Sequence, residues 1–577
     1  MNIVIVGINP ELKYNLAPAL LKSYCLKDYS IKKYAQIKLK YFSTNDKDDE
    51  ILKEIKMERP TVIAFSCYIW NIYKILKITK SIRKLGFKGS IILGGPEVSP
   101  IAQQILVENP SVDIIVREEG EVTFSEIVRH LLSKQKSLDD ILGITFWKDR
   151  NIVENKPRPL IDKLDDIPSP YLNGVVNLNK IEQQLAMFET LRGCTFSCKY
   201  CLWGKGQRLR YFSLKRVKQE LLAVMNSNVR RVWLSDPISN FNKARFKKIL
   251  RIILRNNSKK VIFDFEMKAE FLDKEMINLL SKLPGGYIAF GLQSTNLLVL
   301  KNINRKWNKK IFERNIKLLQ KKAKRIEIAI DLIYGLPGDT YESYKKSFGY
   351  AMSFQPHNIQ SHRLQVLPGS YIYNNAACYG IEFMARAPHY FLRSSTFSLE
   401  DCKKARIFYY LYNKLLVKIA VNQLHKCLGI SHLELFEKLL KYLIKKTNLR
   451  KIKARSFLKH LTTFIKINLS YSGVPKEVTL PFLELIKYLY LTRRMGSNIE
   501  KGRYSKRKGV LSNLSVKPDN IRVEKFHYNI ENFVTKKLFD KDADIKDIEK
   551  KSNFIVYNEK LSKINLYREN GGIIINR

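Results

Sequence analysis

Histidine is scarce in this chain: there are eight in 577 residues, and none precedes His130. Residues 1–129 therefore offer no imidazole to a metal. Long apolar runs are missing too. No stretch approaches the roughly 18 residues that a membrane span requires. Eight cysteines in so long a chain cannot form a disulfide framework. The opening M-N-I-V-I-V-G lacks the basic n-region and small-residue cleavage site of a secretion signal, and reads as a strand. No G-x-G-x-x-G follows that strand, which excludes a nicotinamide-binding fingerprint. Acid is in short supply: 54 Asp/Glu face 102 Lys/Arg, for a net charge of +48.

Hydrophobic residues make up 45% of the chain and aromatics 11%, enough for several cores and too much for a disordered polyampholyte. The length predicts about three domains. Residues 401–577 hold 38 Lys/Arg against 16 Asp/Glu, so the C-terminal third is the most basic. An acidic partner such as nucleic acid fits that charge. Lysines scattered over the outer faces of predicted helices fit plain solvation better, and an RNA substrate is not favoured.

Residues 1–148 alternate strands and helices. Strands are predicted at Asn2–Gly7, Ala35–Phe42, Thr61–Cys67, Ser90–Pro96 and Val112–Arg117. Helices are predicted at Asp49–Met57, Ile72–Leu85, Val98–Val107 and Thr123–Leu132. Such βα units give a doubly wound parallel sheet with its ligand site outside the carboxyl ends of the strands. Residues 149–185, with prolines at 157, 159, 168 and 170, read as a linker. Six strands follow over 186–395, at Ala186–Leu191, Arg231–Leu234, Val261–Met267, Gly286–Leu292, Arg325–Ile333 and Ile359–Val366. Helical stretches between them predict a partial (β/α)6 barrel. Residues 396–577 read as mainly α-helical, with amphipathic stretches at Glu400–Val421, Ile430–Lys445, Arg455–Ile465 and Val478–Thr492. The basic run Arg493–Gly509 suits contact with phosphate or an acidic peptide, and reads better as a solvated loop. Phe554–Tyr557 is strand-like, and the scattered Cys378, Cys402 and Cys427 read as core thiols. The fold class is α/β.

The most specific stretch is E-T-L-R-G-C-T-F-S-C-K-Y-C-L-W-G, Glu189–Gly204. Cys194, Cys198 and Cys201 form a C-x3-C-x2-C trio. Three thiolates so close can hold three irons of a [4Fe–4S] cube and leave the fourth iron open to a ligand. Structural zinc would need a fourth Cys or His at regular spacing, and the nearest downstream His is His357. Thiolate ligands need a reducing compartment, which predicts the cytoplasm.

This loop, with the strand order around it, resembles the radical SAM superfamily. Phe65–Asn71 (F-S-C-Y-I-W-N), Leu93–Ser99 (L-G-G-P-E-V-S) and Glu119–Phe124 (E-G-E-V-T-F) resemble the N-terminal cobalamin-binding domain of its class B members. The resemblance implies a Rossmann-like cobalamin domain over 1–148, a radical SAM barrel over 186–395, and three cofactors: a [4Fe–4S] cluster, S-adenosyl-L-methionine (SAM) and cobalamin. It implies SAM contacts at Tyr200, Glu266 and Gln293, beside the string D-L-I-Y-G-L-P-G-D at Asp331–Asp339. It implies cobalamin contacts at Ser66, Cys67, Tyr68, Trp70, Gly94, Gly95, Pro96, Glu97, Glu119 and Gly120, with no histidine beneath the cobalt. Core packing is an equal reading for Cys67 and Trp70.

The implied chemistry is one-electron cleavage of SAM to methionine and a 5′-deoxyadenosyl radical. That radical takes a hydrogen from the substrate, which then collects a methyl group from cobalamin. The expected substrate is a peptide or secondary metabolite methylated at unactivated carbon, and the electron donor is a flavodoxin or ferredoxin. Radical cyclisation or rearrangement with the same cofactors is a second expectation. A methylthiotransferase acting on RNA or protein is a third. It needs three further N-terminal cysteines, and residues 1–185 hold only Cys25 and Cys67.

Overall fold

The computed structural model describes residues 1–10, 14–133, 137–203, 207–447, 454–472, 474, 479–480, 482–486, 521–526, 553–558 and 563–568. These divide into two compact units, one of residues 1–347 with 358–402, the other of 348–357 with 403–577.

The first unit opens with a seven-stranded sheet. Its strands are β1 (Asn2–Asn9), β2 (Gln36–Ser43), β3 (Val62–Ser66), β4 (Ser90–Gly94), β5 (Ile114–Val116), β6 (Ile144–Lys148) and β7 (Asn151–Glu154), in the order β2-β1-β3-β4-β5-β6-β7. Strands β1 to β5 are mutually parallel, and β6 and β7 turn antiparallel. Strands buried on both faces must be apolar at every position, which explains runs such as N-I-V-I-V-G-I-N and V-I-A-F-S. The period of two sorts them. Val4, Val6, Ile63, Phe65 and Leu93 pack on one face with Ile75 and Ile78 of the helix Ile72–Lys84. Ile3, Ile5, Val62, Ala64 and Ile92 pack on the other with Phe124 and Ile127 of the helix Gly120–Ser133.

Three local details depart from the sequence reading. The sheet runs past residue 148 into the expected linker, because Asn151–Glu154 pairs with β6. A helix at Leu16–Cys25, capped by the Asn15 side chain on the Ala17 N–H, is not signalled by the sequence pattern, which Pro18 interrupts in the first turn. The expected helix Val98–Val107 starts as a 3-10 turn, Ser99–Ile101, where Pro100 breaks the ladder, and becomes α-helical at Ala102–Glu108.

The second sheet of this unit has six parallel strands: β8 (Leu185–Phe188), then, after a small ribbon of β9 (Leu191–Arg192) and β10 (Arg210–Tyr211), β11 (Arg231–Leu234), β12 (Ile262–Met267), β13 (Gly286–Gln293), β14 (Ile326–Tyr334) and β15 (Asn358–Arg363). Their order is β15-β14-β13-β12-β11-β8, so the barrel stays open between β15 and β8. Along β14, Ile326, Ile328, Ile330 and Leu332 are buried on one face, while Asp331 and Ile333 share the other. A hairpin of β16 (Glu382–Phe383) and β17 (Phe391–Arg393) follows.

The second unit contains the helices Leu415–Leu428, His432–Lys446 and Ala454–Tyr471, and an antiparallel sheet of β18 (Ile521–Phe526), β19 (Asn553–Asn558) and β20 (Lys563–Arg568). The expected helix Glu400–Val421 is two helices, broken at Asn413–Lys414. Cys402 is buried as expected, whereas Cys378 is exposed, on the 3-10 turn Ala377–Tyr379. Most of Val478–Thr492, and all of Arg493–Gly509, lie outside the described residues. Among the described residues no helix is long and apolar enough to cross a membrane.

Candidate functional site

The cysteine loop does not follow β8 directly. The strand ends at Phe188, and after Glu189–Thr190 the chain forms β9, which pairs antiparallel with β10 beyond the loop. Both ends of the excursion are therefore tied together. Its entry is held by Asp236, just after β11, which is 1% exposed. Asp236 accepts hydrogen bonds from Thr190 N at 2.7 Å, Leu191 N at 3.2 Å and Thr190 Oγ1 at 2.6 Å. Burial pushes its carboxyl up to about 6, and those hydrogen bonds restrain the rise. Gly193 sits at φ +86, and a Cβ there would lie 2.6 Å from the Arg208 carbonyl oxygen. Only glycine fits.

Within the loop, Cys201 N–H bonds the Cys198 carbonyl at 3.0 Å and Lys199 N–H bonds the Ile303 carbonyl at 3.1 Å. Asn304 Nδ2 donates to Ser197 Oγ at 2.7 Å. Trp203 N–H points at Cys201 Sγ, 3.4 Å away. The Arg305 guanidinium lies 3.8 Å from Cys198 Sγ and 3.3 Å from the Tyr200 hydroxyl, and also donates to the Gly291 carbonyl. Burial raises the thiols of Cys194 and Cys201, the latter to about 11, and the Arg305 charge counteracts it. Iron must replace those protons, so a neighbouring cation suits ligation. Among the described residues no three His, Cys, Asp or Glu side chains converge on one ion. A cube would spread three thiolates over separate irons.

Polar side chains collect on three adjacent strand ends of the barrel beside this loop. Glu266 is on β12, Gln293 on β13 and Asp331 on β14. Register pairs Gly291 with Asp331 and then Gln293 with Leu332, an irregularity that turns Gln293 to φ +70. A Cβ on Gly291 would lie 2.6 Å from the Gln293 amide and 3.0 Å from Arg305, so this glycine makes room for both. Gln293 Oε1 and Asp331 Oδ1 are buried without a hydrogen-bond partner. Burial, with Asp331 nearby, pushes Glu266 up to about 8; burial pushes Asp331 up to about 6, against the pull of Arg305. Open acceptors beside one fixed cation suit a ligand bearing both N–H or O–H donors and a carboxylate. Asp331 and Arg305 were not singled out in the sequence. Asp331 sits inside the D-L-I-Y-G-L-P-G-D string, but Arg305 lies 107 residues beyond Cys198 in an ordinary basic stretch.

At the strand ends of the first sheet, Asn71 ties β1 to β3. Its Nδ2 donates to the Ile8 and Ser66 carbonyls, both at 2.9 Å, and its Oδ1 accepts the Tyr68 N–H at 2.7 Å. Tyr68 and Trp70 stack with ring centroids 4.5 Å apart, and Trp70 is 48% exposed. Gly94 and Gly120 are half-buried, Pro96 is exposed, and Ser66 is buried.

Four of the expected cobalamin contacts have other uses in the structure. Cys67 is wholly buried in the core with Phe65 and Leu93 and has no surface to offer a ligand. Gly95, at φ +118, is needed because a Cβ would lie 2.3 Å from the Cys67 carbonyl oxygen. Glu97 is buried against His389, with Oε1 2.8 Å from Nε2. His389 Nδ1 is 3.2 Å from the Met384 carbonyl, so both ring nitrogens are taken up within the protein. Glu119 is bound at both oxygens by Arg210. A cavity of about 480 Å³, bounded by Ser99, Arg117, Glu118, Glu154 and Arg158 among others, includes none of the expected contacts.

Two family models match the chain: the Radical SAM superfamily over residues 188–351 and the B12 binding domain over residues 30–128. Residues 30–351 thus pair a B12 binding domain with a radical SAM domain, the two parts of a cobalamin-binding radical SAM protein. It is 27% identical over 396 residues to the cobalamin-dependent radical SAM methyltransferase TokK of Streptomyces tokunonensis, covering 63% of this chain and 55% of that one. It is 29% identical over 240 residues to an anaerobic magnesium-protoporphyrin IX monomethyl ester cyclase of Synechocystis sp., covering 40% of this chain and 47% of the cyclase. The chain thus spans about half the length of these curated relatives. Its fold is similar to that of the cobalamin-dependent SAM radical enzyme OxsB, solved with aqua-cobalamin and SAM bound. The TM-score is 0.58 at 17% identity, covering 85% of this chain and 80% of OxsB.

Proposed function

We propose that the chain cleaves SAM reductively and methylates an unactivated carbon of a small secondary metabolite or peptide. The observation that carries this reading is the gathering, in one compact unit, of the cysteine loop, the open acceptors of the barrel rim and a sheet whose strand ends present stacked aromatic rings. In this reading Cys194, Cys198 and Cys201 hold three irons of a [4Fe–4S] cluster. Arg305 receives the carboxylate of SAM, while Glu266, Gln293 and Asp331 receive its ammonium and hydroxyl groups, with Tyr200 alongside. Tyr68, Trp70, Gly94 and Pro96 border cobalamin, which takes no histidine from this chain. When bound, the cluster with SAM supplies a carbon radical strong enough to take hydrogen from an unactivated C–H bond, and cobalamin supplies the methyl group. The side chains fix the geometry. The lower exposure of the barrel rim strengthens its electrostatic contacts and keeps water from a reactive intermediate. A low-potential flavodoxin or ferredoxin in the cytoplasm delivers the electron.

The TokK likeness supports methyl transfer. The cyclase likeness supports a second reading, ring formation with the same cofactors and no methyl transferred. Methyl-labelled SAM separates them in anaerobically reconstituted protein. Methylation puts label in the product and yields S-adenosylhomocysteine and 5′-deoxyadenosine in comparable amounts. Deoxyadenosine with no homocysteine product refutes methylation and favours ring formation. Reconstituted protein carrying no iron refutes both.

A further inference from the structure

The two strands that frame the cysteine loop present an electrostatic problem. In the β9–β10 ribbon, Arg192 lies directly opposite Arg210. Opposed residues of an antiparallel pair project from the same face, and like charges so placed push the strands apart. Two of the three compensating carboxylates come from the stretch just after β5 of the first sheet. Glu119, in the turn after β5, takes two hydrogen bonds from Arg210, at 2.9 and 2.7 Å, and stands 3.5 Å from the nearest Arg192 nitrogen. Glu121 accepts from Arg192 at 2.7 Å, and Glu189 accepts from it at 2.9 and 3.2 Å. The Arg210 side chain is 4% exposed, Glu121 6% and Arg192 12%. Burying five charged groups is costly, and an apolar contact of equal size would hold the two sheets together at least as well. Unlike an apolar contact, which can slide, forked arginine–carboxylate pairs permit one arrangement.

We propose that Arg192 and Arg210 are positioning residues, and that the E-G-E turn of the cobalamin-binding domain is the counter-charge that closes the ribbon around the cysteine loop. This rests on the reading of Cys194, Cys198 and Cys201 as cluster ligands. The cluster is then held rigidly only while the N-terminal sheet is docked, and the spacing from the strand ends of that sheet to the cluster is set by the same five side chains.

The test is a double-mutant cycle in the full chain, with Glu119→Gln, Arg210→Gln and the pair together. Glu119→Gln takes from Arg210 the carboxylate that binds both its terminal nitrogens, and Arg210→Gln leaves a surplus of buried carboxylate. The pair removes one charge of each sign and restores the balance. After anaerobic reconstitution, cluster loss to a chelator is followed by absorbance, and amide exchange of residues 189–192 and 207–212 is measured on the iron-free protein. Each single variant is expected to lose its cluster at least fivefold faster than wild type and to exchange faster in both segments. The pair is expected to come within about twofold of wild type. Additive effects, with the pair worse than either single change, would overturn the proposal. So would single variants that behave like wild type. If the wild type takes up no iron, the cluster reading fails, and amide exchange still decides the ribbon's dependence on Glu119.

Discussion

Asp236 offers the sharpest quantitative test of how the cysteine loop is held. In Asp236→Ala, two buried amides and one hydroxyl lose their acceptor together. An unsatisfied buried donor costs about 1–3 kcal/mol. The Thr190 hydroxyl can rotate toward another acceptor, so the two amides dominate and the change should weaken local closure by about 3–4 kcal/mol. At 1.4 kcal/mol per factor of ten, amide exchange at 190 and 191 should speed up by roughly 150- to 700-fold. Asp236→Asn behaves differently. Its carbonyl can still accept from both amides, only the charge assistance is lost, and the cost is about 1 kcal/mol, roughly fivefold in exchange. The pH dependence sharpens the contrast. The folded carboxyl sits at about 6, above its ordinary 3.8. Folding therefore holds the proton more tightly, so its stabilisation is complete below about pH 3.8 and fades as pH rises toward 6. The full fade is at most about 3 kcal/mol, and the Asn variant should show none of it. Exchange mass spectrometry of the 186–196 segment at pH 5 and pH 7, corrected for intrinsic exchange, makes the comparison. Equal rates for the Ala and Asn variants would refute the account of the anchor.

Three further outcomes are expected. Gly193→Ala should strain the loop by about 1–3 kcal/mol and leave less than half the wild-type iron after reconstitution and desalting; full iron would mean that the backbone there can relax. Arg305→Lys keeps the charge but loses the fork that reaches Cys198, Tyr200 and Gly291 together. SAM should bind about tenfold more weakly to the reconstituted variant in calorimetry, with iron content unchanged; a parallel loss of iron would assign Arg305 to the cluster instead. Glu266, pushed up to about 8, is protonated at pH 7 before a ligand arrives. An incoming ammonium group favours the carboxylate, so SAM binding at pH 7 should release close to one proton and tighten as pH approaches 8. Buffers of different ionisation enthalpy would reveal the release, and Glu266→Gln should abolish it.

The strands and the chemistry were legible for different reasons. Apolar runs such as Val62–Ser66 announce themselves locally, because a strand buried on both faces allows nothing else. The cysteine trio is also local, set by ligand spacing within one loop. What stayed hidden is paired over distance. Asp236 meets Thr190 across 46 residues, Arg210 meets Glu119 across 91, and Glu97 meets His389 across 292. A buried carboxylate looks the same in sequence as an exposed one until its partner is known. That is why Glu97 and Glu119 read as ligand contacts when the structure gives them a histidine and an arginine, respectively. Gly95 shows the same confusion on a smaller scale: the glycine is needed, but a carbonyl of its own chain is what approaches it.

The assignment of residues 348–357 to the second unit has a bearing on construction and descent. The helix Tyr341–Ser353 begins in the barrel's unit and ends in the other, where Phe348 packs edge-on against Phe408 and Tyr412 with ring centroids 5.2 and 5.0 Å apart. The chain then returns to lay down β15. A gene cut after residue 402 would therefore do more than remove an appendage. It would strip the cover from Phe348 just upstream of a barrel strand. The C-terminal unit is therefore not an interchangeable cassette: any replacement has to supply the rings that cover Phe348.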